Sequence, residues 1–438
     1  MPAHTIEIPW GGQTLPVVLP EGWELMGTLE PSPRAAVADA AAEAERALGE
    51  PIGSPRLRDL VKPGARIALV IDDGSRPTPV ARLLPAVLAE LQLGGATLDQ
   101  ILVVPALGVH RKMADDEVAQ RLGGEWAAQL KWEHHDCDDP ARLSSLGTTS
   151  RGTPVLINRS VAEADLIVSI GCIEPHIIAS FGGGYKNLIP GVAGRATIAH
   201  NHALNCTPST FNMVGQPIES NPMRQDLEEG ARRLKAPVFI VNAVLNSSLQ
   251  PVAVVAGDPI AAHRAGAKIS ASIYGVPVPA MADVLISGSH PMDQDLRQGV
   301  KALANTVRAV RPGGSMLTLV RADEGVGVFG LAEKGLPLKR NALKALTPLL
   351  LPLISKLKLK GVSEEEKFFL YFALQGMRRA DLMLYAPTIP EKIHPNLPFV
   401  TFVPSPEAGI QRARQRFPGK ARVLLAPHGG MTYPILPD

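Results

Sequence analysis

Short apolar segments rich in β-branched residues alternate along the chain with amphipathic segments, which is the pattern of strands alternating with helices. In the first half, this pattern predicts strands at residues 65–73, 101–106, 164–173, 236–245 and 249–258, the last two forming a hairpin. It predicts helices at residues 80–93 and 114–122, and the second of these opens with acidic residues, as a helix N-terminus favours. Such alternation is typical of an α/β fold.

The second half repeats this alternation after a break near residue 275, in the segment YGVPVPA. Strands are predicted at residues 283–288, 315–321, 381–386, 398–403 and 422–427. A helix is predicted at residues 405–417, with Ser405 as its N-cap. We therefore expect two doubly wound α/β domains, residues 1–275 and 276–438, with the active site in the cleft between them.

Composition excludes several classes of protein. The 438 residues include 44 Lys and Arg against 42 Asp and Glu, and the resulting net charge of +2 argues against a nucleic-acid-coating protein. A hydrophobic content of 45% excludes disorder over most of the chain, and three cysteines cannot form a disulfide framework. We see no signal peptide and no apolar stretch near the ~20 residues that a membrane span needs, so we expect a cytoplasmic protein without a membrane partner.

Polar, turn-rich motifs follow four of the predicted strands. They are DDGSRPTP at residues 72–79, GVHR at 108–111, EPH at 174–176 and SGSHP at 287–291. In open α/β sheets, ligands bind just beyond the carboxyl ends of the strands. Each motif alone is compatible with a surface turn, but four together predict a binding site.

A glycine-rich loop follows His176. Gly182, Gly183 and Gly184 could form an anion-binding nest of backbone amides ahead of Lys186, where a helix is expected to start. The loop has the spacing of neither a Walker A nor a Rossmann motif. A phosphate-binding loop and a glycine-rich structural turn both remain open as interpretations.

Histidines and cations supply the candidate chemistry. His110 and His176 lie on different loops and could flank a small substrate as acid–base groups, which is what inversion of a stereocentre requires. Arg76 could bind a carboxylate through two parallel hydrogen bonds, and Lys301 could add a second cation. The residues alone thus indicate an enzyme of small carboxylates with a nucleotide or phosphate site.

Several of these motifs also match a known family. The segments DDGSRPTP, LGVHR, IGCIEPHIIASFGGGYKNLIPGVAG and NHAL resemble the lactate racemase family of nickel-dependent 2-hydroxyacid racemases and epimerases. The resemblance is strong over residues 65–205 and weaker around 283–305. The spacing of His176, Lys186 and His202 is its most specific part.

The resemblance implies a nickel-pincer nucleotide as cofactor, that is, a pyridinium-3,5-bisthiocarboxylic acid mononucleotide that holds nickel. Lys186 would be its covalent attachment point and His202 the protein ligand to nickel; only one of His200 and His202 can face the site, because they point about 200° apart on a helix. Gly182, Gly183, Gly184, Asp73 and Arg76 would surround the cofactor. Separate cofactor-biosynthesis enzymes are then implied as partners.

The resemblance also implies a reaction, in which the N-terminal domain binds the cofactor and the C-terminal domain closes over the substrate. His110 and His176 would exchange the hydroxyl proton while a hydride moves to the cofactor and back, through a 2-keto acid. Arg76, Lys301, Asp73 and Arg297 would contact the substrate.

The substrate does not follow from the resemblance. Arg297 stands where a tyrosine is expected in the lactate enzyme, and its guanidinium could bind a second carboxylate, as in malate, or reshape a short-chain pocket. A lactate-like acid, malate and a sugar acid remain open. Two alternatives of other classes are a zinc hydrolase with His110, His176 and His202 as ligands, and a non-catalytic nucleotide-binding protein.

Overall fold

The computed structural model describes residues 4–327, 329–336, 338–354 and 366–437, and it contains two six-stranded sheets in that part of the chain. The first sheet has the spatial order Pro251–Gly257, Val238–Leu245, Leu166–Cys172, Ile67–Asp72, Ile101–Ala106 and Lys131–Trp132. All its neighbouring strands are parallel except the predicted hairpin of the two C-terminal strands, which is confirmed as antiparallel.

Strand order reverses in the middle of this first sheet. The chain runs outward from Ile67–Asp72 in one direction and then continues from Leu166–Cys172 in the other, which is the doubly wound arrangement. All six residues of Ile67–Asp72 are buried, because helices cover both faces of the sheet. The carboxyl ends of these two adjacent strands therefore open a crevice at the switch point.

The second sheet is parallel throughout. Its spatial order is Thr401–Phe402, Ala380–Tyr385, Val310–Leu319, Ala282–Gly288, Ala421–Ala426 and Trp23–Thr28. Trp23–Thr28 is a departure from the predicted division, which assigned these residues to the N-terminal unit. It joins the second sheet because its main chain pairs with Ala421–Ala426. We retain a boundary near residue 275 as a proposal, with this N-terminal strand added to the second unit.

Smaller elements complete the architecture. Two-stranded pairings join His4–Trp10 with Gln13–Leu19, Leu143–Thr148 with Pro154–Asn158, Pro175–His176 with Ser180–Phe181, and Gly275–Pro277 with Tyr433–Ile435. The first of these hairpins was not predicted. It places Ile6, Ile8, Val17 and Leu19 in the core that covers one face of the second sheet.

Helices pack on the faces of both sheets. Their bounds are Ala40–Gly49, Leu57–Leu60, Val80–Leu93, Asp115–Leu122, Gly124–Gln129, Arg159–Ala162, Arg195–Ala203, Pro222–Ala231, Ala261–Tyr274, Leu296–Gly299, Lys301–Thr306, Gly330–Lys334, Arg340–Leu350, Glu366–Arg379 and Pro406–Arg416. Short 3₁₀ turns span Leu98–Gln100, Pro140–Arg142, Gly184–Asn187, Ile218–Ser220, Val307–Ala309 and Glu391–Asn396. Lys186 thus lies in a 3₁₀ turn rather than at the start of an α-helix. In the described residues, no helix is both long and apolar enough to cross a bilayer.

Candidate active site

A cavity of about 220 Å³ lies at the carboxyl edge of the first sheet and is also lined by side chains of the second half of the chain. We call it the central cavity. Eight of the predicted site residues line it: Asp73, Arg76, His110, His176, Lys186, His202, Arg297 and Lys301. Asp73 and His176 follow the two strands at the switch point, which explains why residues a hundred positions apart meet.

His110 is oriented by a carboxylate. Its Nδ1 lies 2.6 Å from Oδ2 of Asp73, and Oδ1 of Asp73 accepts hydrogen bonds from the hydroxyl of Ser75 (2.6 Å) and the backbone N–H of Ser75 (3.2 Å). Burial alone would raise the pKa of Asp73, but the bonds from His110 and Ser75 and the charge of Arg76 outweigh it and lower that pKa. The ionised Asp73 keeps the proton of His110 on Nδ1, so that Nε2 carries the lone pair of a base.

This geometry changes the role predicted for Asp73. Both of its oxygens are engaged by protein donors, and its negative charge would repel a substrate carboxylate. We therefore propose that Asp73 positions His110 rather than contacts the substrate.

His176 is held in the opposite tautomer. Its Nδ1 accepts hydrogen bonds from the backbone N–H groups of Ile178 and Ala179, each at 3.2 Å. An accepting Nδ1 requires the neutral ring to carry its proton on Nε2. Burial, followed by the charges of Lys186 and Arg76, lowers the pKa of His176 well below its usual value. The neutral His176 therefore presents a hydrogen-bond donor at Nε2, whereas His110 presents an acceptor.

Arg76 is paired with Glu174, a residue of the EPH motif to which the sequence analysis gave no role. Arg76 Nη1 donates to Oε1 of Glu174, whose side chain is only 5% exposed. Burial opposes ionisation of Glu174, but the charges of Lys301, Arg76 and Lys186 lower its pKa. Glu174 thus fixes the guanidinium of Arg76 at the edge of the central cavity.

Lys186 has the electrostatics of an amine nucleophile. Burial, followed by the positive charges of Arg76 and Arg224, lowers its pKa to about 7. A large fraction of the amine is therefore neutral near physiological pH, which covalent chemistry at nitrogen requires.

His202 has the tautomer of a metal ligand. Its Nδ1 lies 2.8 Å from the carbonyl oxygen of Ile198, which can only accept, so the proton resides on Nδ1 and the lone pair on Nε2. Burial, followed by the charge of Lys186, lowers the pKa of His202 to about 4. The neighbouring His200 bonds instead to Thr153 at 2.8 Å, which confirms that the two histidines of this helix face different ways.

The glycine loop does not form the anion-binding nest considered from the sequence. The amide of Gly182 donates to the carbonyl of Glu174 (2.7 Å) and the amide of Gly184 donates to Oδ1 of Asn242 (2.8 Å). At Gly183 and Gly184, φ is positive, and an added Cβ would meet Asn242 and His263 at 2.7 and 3.0 Å. The glycines therefore serve close packing, and we do not retain Gly182, Gly183 and Gly184 as cofactor ligands.

Arg224 stabilises the same glycine loop. Sequence analysis did not predict this role. Arg224 is fully buried, and its guanidinium donates to the carbonyls of Ala179, Phe181 and Gly183. No motif surrounds Arg224 in the sequence, so only the folded loop reveals its role.

Lys301 and Arg297 bring cations from the second half of the chain. Both line the central cavity, Lys301 at the start of the helix Lys301–Thr306 and Arg297 in the preceding helix. Burial lowers the pKa of Lys301, while the charge of Glu174 opposes that shift. The guanidinium carbon of Arg297 lies 5.9 Å from the ring centre of Phe369.

The described residues do not contain the cluster of metal ligands that a zinc hydrolase needs. Within residues 4–327, 329–336, 338–354 and 366–437, no three His, Cys, Asp or Glu side chains converge as a metal site.

Comparisons with known proteins show which family this chain resembles. A family model described as "Lactate racemase N-terminal domain" matches residues 10–212. Lactate racemase of Thermoanaerobacterium thermosaccharolyticum is 30% identical over 328 residues, which are 74% of this chain and 76% of the relative. Lactate racemase of Lactiplantibacillus plantarum is 31% identical over 288 residues, 65% of this chain and 67% of the relative.

Solved structures show the same fold. The lactate racemase apoprotein from T. thermosaccharolyticum superposes with a TM-score of 0.83 at 24% identity, over 99% of this chain and all of that chain. A Thermotoga maritima protein superposes with a TM-score of 0.68 at 15% identity, over 91% of this chain and 98% of that chain.

The doubly wound sheets and the cavity at their carboxyl edge define an α/β enzyme, and its relatives are isomerases. The chain belongs to the lactate racemase family. The resemblance found in the sequence is thereby confirmed, as are the α/β fold class and the assignment to the isomerases.

Proposed function

We propose that this protein is a nickel-dependent racemase or epimerase of a 2-hydroxy acid. The observation that carries the proposal is the opposed tautomers of His110 and His176 in one cavity. One ring offers a proton acceptor and the other a proton donor beside two cations, Arg76 and Lys301. A hydroxyl group next to a carboxylate matches that arrangement.

The donor set of the cavity fits the nickel-pincer nucleotide. Lys186 supplies an amine with a pKa of about 7, suited to a covalent link, and His202 supplies a free Nε2 lone pair, suited to nickel. When bound, this cofactor would supply a reversible hydride acceptor for C2 of the substrate. Lys186 and His202 would hold it, and we propose no contact to it from the glycine loop.

The remaining residues bind the substrate and handle its hydroxyl proton. Arg76, fixed by Glu174, and Lys301 would bind the substrate carboxylate. Nε2 of His110 would take the hydroxyl proton, and Asp73 would stabilise the resulting imidazolium. Nε2–H of His176 would donate to the same oxygen from its own side of the cavity.

The test uses enzyme produced in a host that makes the cofactor. Intact mass should show a covalent adduct, metal analysis should show nickel, and a single enantiomer of a 2-hydroxy acid should be converted to the racemate. Lys186→Ala should abolish the adduct, whereas Lys62→Ala, at an exposed position, should retain it. His202→Ala should keep the adduct and lose nickel.

Distinct results would overturn each part of the proposal. An unmodified, nickel-free chain from that host would exclude the cofactor. An adduct that survives Lys186→Ala would move the attachment point, and nickel retained by His202→Ala would remove His202 as the ligand.

A further inference from the structure

One wall of the central cavity is apolar and is not used by any role assigned above. It is built from the second half of the chain, beyond Arg297, and we call it the apolar wall. Its principal members are Phe329, Phe369, Phe372, Leu382, Leu384 and Phe399. Their side chains carry no hydrogen-bonding group.

The strand and the helix that carry these side chains place them on one surface of the cavity. Leu382 and Leu384 lie two residues apart on the strand Ala380–Tyr385 and so share one face of the sheet, while Met383 packs in the core on the other face. Phe369 and Phe372 are three residues apart on the helix Glu366–Arg379, so they also share a face. A continuous apolar surface is therefore built into the fold at this end of the cavity.

Aromatic contacts hold the apolar wall together. The ring centres of Phe329 and Phe369 are 6.4 Å apart in an edge-to-face arrangement, and those of Phe211 and Phe372 are 5.8 Å apart. The guanidinium of Arg297 over Phe369 marks the border between the wall and the polar residues.

A charged mononucleotide is a poor occupant of this end. Its phosphate and nickel would need cations and donor atoms, and Lys186, His202 and Arg76 all belong to the polar part of the cavity. The same argument disfavours the second carboxylate of malate or the hydroxyls of a sugar acid beyond Arg297, since the described wall residues there would leave them without hydrogen-bond partners.

We propose that the preferred substrate is a 2-hydroxy acid with a bulky apolar side chain, phenyl or branched aliphatic. Its carboxylate lies at Arg76 and Lys301, its hydroxyl lies between His110 and His176, and its side chain packs on the apolar wall. This inference rests on the proposed function and names its substrate class. The methyl group of lactate would cover little of the wall, and each added CH₂ in such a pocket is worth roughly tenfold in specificity.

The first test compares four substrates with the nickel-loaded enzyme: lactate, malate, 3-phenyllactate and 2-hydroxy-4-methylpentanoate, each as a single enantiomer. We expect kcat/KM for the two bulky acids to exceed that for lactate by at least about tenfold. Equal or faster turnover of lactate, or preference for malate, would overturn the inference while leaving the racemase proposal intact.

A binding measurement separates the two proposals if none of the four acids is racemised. That result would contradict the proposed function, and calorimetric titration of the same protein would still compare the ligands. Tighter binding of 3-phenyllactate than of lactate supports the apolar wall as a ligand site; equal binding overturns it.

Variants with a larger side chain on the apolar wall test whether the substrate side chain packs there. Ala373 lines the cavity one residue after Phe372, and Ala373→Leu should lower the ratio of kcat/KM for 3-phenyllactate over lactate by about tenfold or more. Circular dichroism and thermal unfolding would check the fold, and Val400→Phe, in the loop that also lines the cavity, provides a second filling variant. An unchanged ratio in both folded variants would place the side chain elsewhere.

Discussion

Nδ1 of His110 lies 2.6 Å from Oδ2 of Asp73, and this contact gives His110 a different proton arrangement from that of His176. The carboxylate of Asp73 accepts a hydrogen bond from Nδ1 of His110, whereas backbone N–H groups donate to Nδ1 of His176. The two histidines are therefore not interchangeable, although the sequence suggested a symmetric pair.

Asp73→Asn should impair proton transfer without removing the substrate site. An amide can hydrogen-bond to either tautomer of His110 but cannot stabilise its imidazolium, so kcat should fall by about 10²–10⁴. Steady-state kinetics on the loaded enzyme measures this loss. Ser75→Ala removes only a bond to Oδ1 of Asp73 and should lower kcat far less. Equal losses of kcat in the two variants would argue against the pairing of Asp73 with His110 as the cause.

Glutamine at the two histidine positions should have unequal effects. His176→Gln keeps an N–H donor for the substrate oxygen, so its kcat should exceed that of His176→Ala by about tenfold or more. His110→Gln supplies no group that accepts a proton and should be as inactive as His110→Ala. Chiral chromatography of the product gives both comparisons, and rescue by glutamine at position 110 but not at 176 would reverse the assignment.

Strand pattern and strand-end motifs predicted most of this architecture, because buried strands are apolar and their carboxyl ends carry the ligand-binding turns. The helix Val80–Leu93 matches its predicted bounds. The N-terminal strand Trp23–Thr28 could not be assigned to a sheet, because its partner Ala421–Ala426 lies almost 400 residues away and strand pairing at that distance has no local signal.

Some features of the candidate site could likewise be predicted from the sequence, whereas others could not. Local motifs identified His110, His176, Lys186 and His202, whereas tautomers depend on contacts formed only in the folded chain. Three consecutive glycines suggested an anion-binding nest. In the folded chain, that loop instead packs against Asn242 and His263, which are distant in the sequence. The apolar wall was also missed, since its residues look like ordinary core positions in the sequence.

Lys186 should be labelled by amine reagents ahead of surface lysines. With a pKa of about 7 it is largely neutral at about pH 8, whereas exposed lysines, with a pKa near 10.4, remain protonated. Peptide mass spectrometry after brief acetylation of the cofactor-free protein should show faster modification of Lys186 than of Lys62, and the ratio of the two labelling rates should shrink toward about pH 10, where exposed lysines also lose their proton. Arg76→Met removes a neighbouring positive charge and should raise the pKa of Lys186, which would slow its labelling at pH 8. Labelling that is no faster than that of Lys62 would contradict the depressed pKa.

Glu174→Gln should weaken substrate binding. It should also remove the part of the free energy of unfolding that wild type loses at acid pH. Loss of the carboxylate leaves Arg76 without its buried partner, which should cost about 1–3 kcal/mol in the free energy of unfolding and raise KM more than it lowers kcat. Because the folded-state pKa of Glu174 is lowered, its contribution is present above the unfolded pKa near 4.3 and is lost as pH falls through the folded value. Denaturant unfolding of wild type should therefore show a decrease below about pH 5 that is smaller in Glu174→Gln. Glu117→Gln, which removes a partly exposed carboxylate paired with Arg111, serves as the control and should leave KM unchanged. If Glu174→Gln keeps the KM of wild type, Arg76 does not need Glu174 to bind the substrate carboxylate.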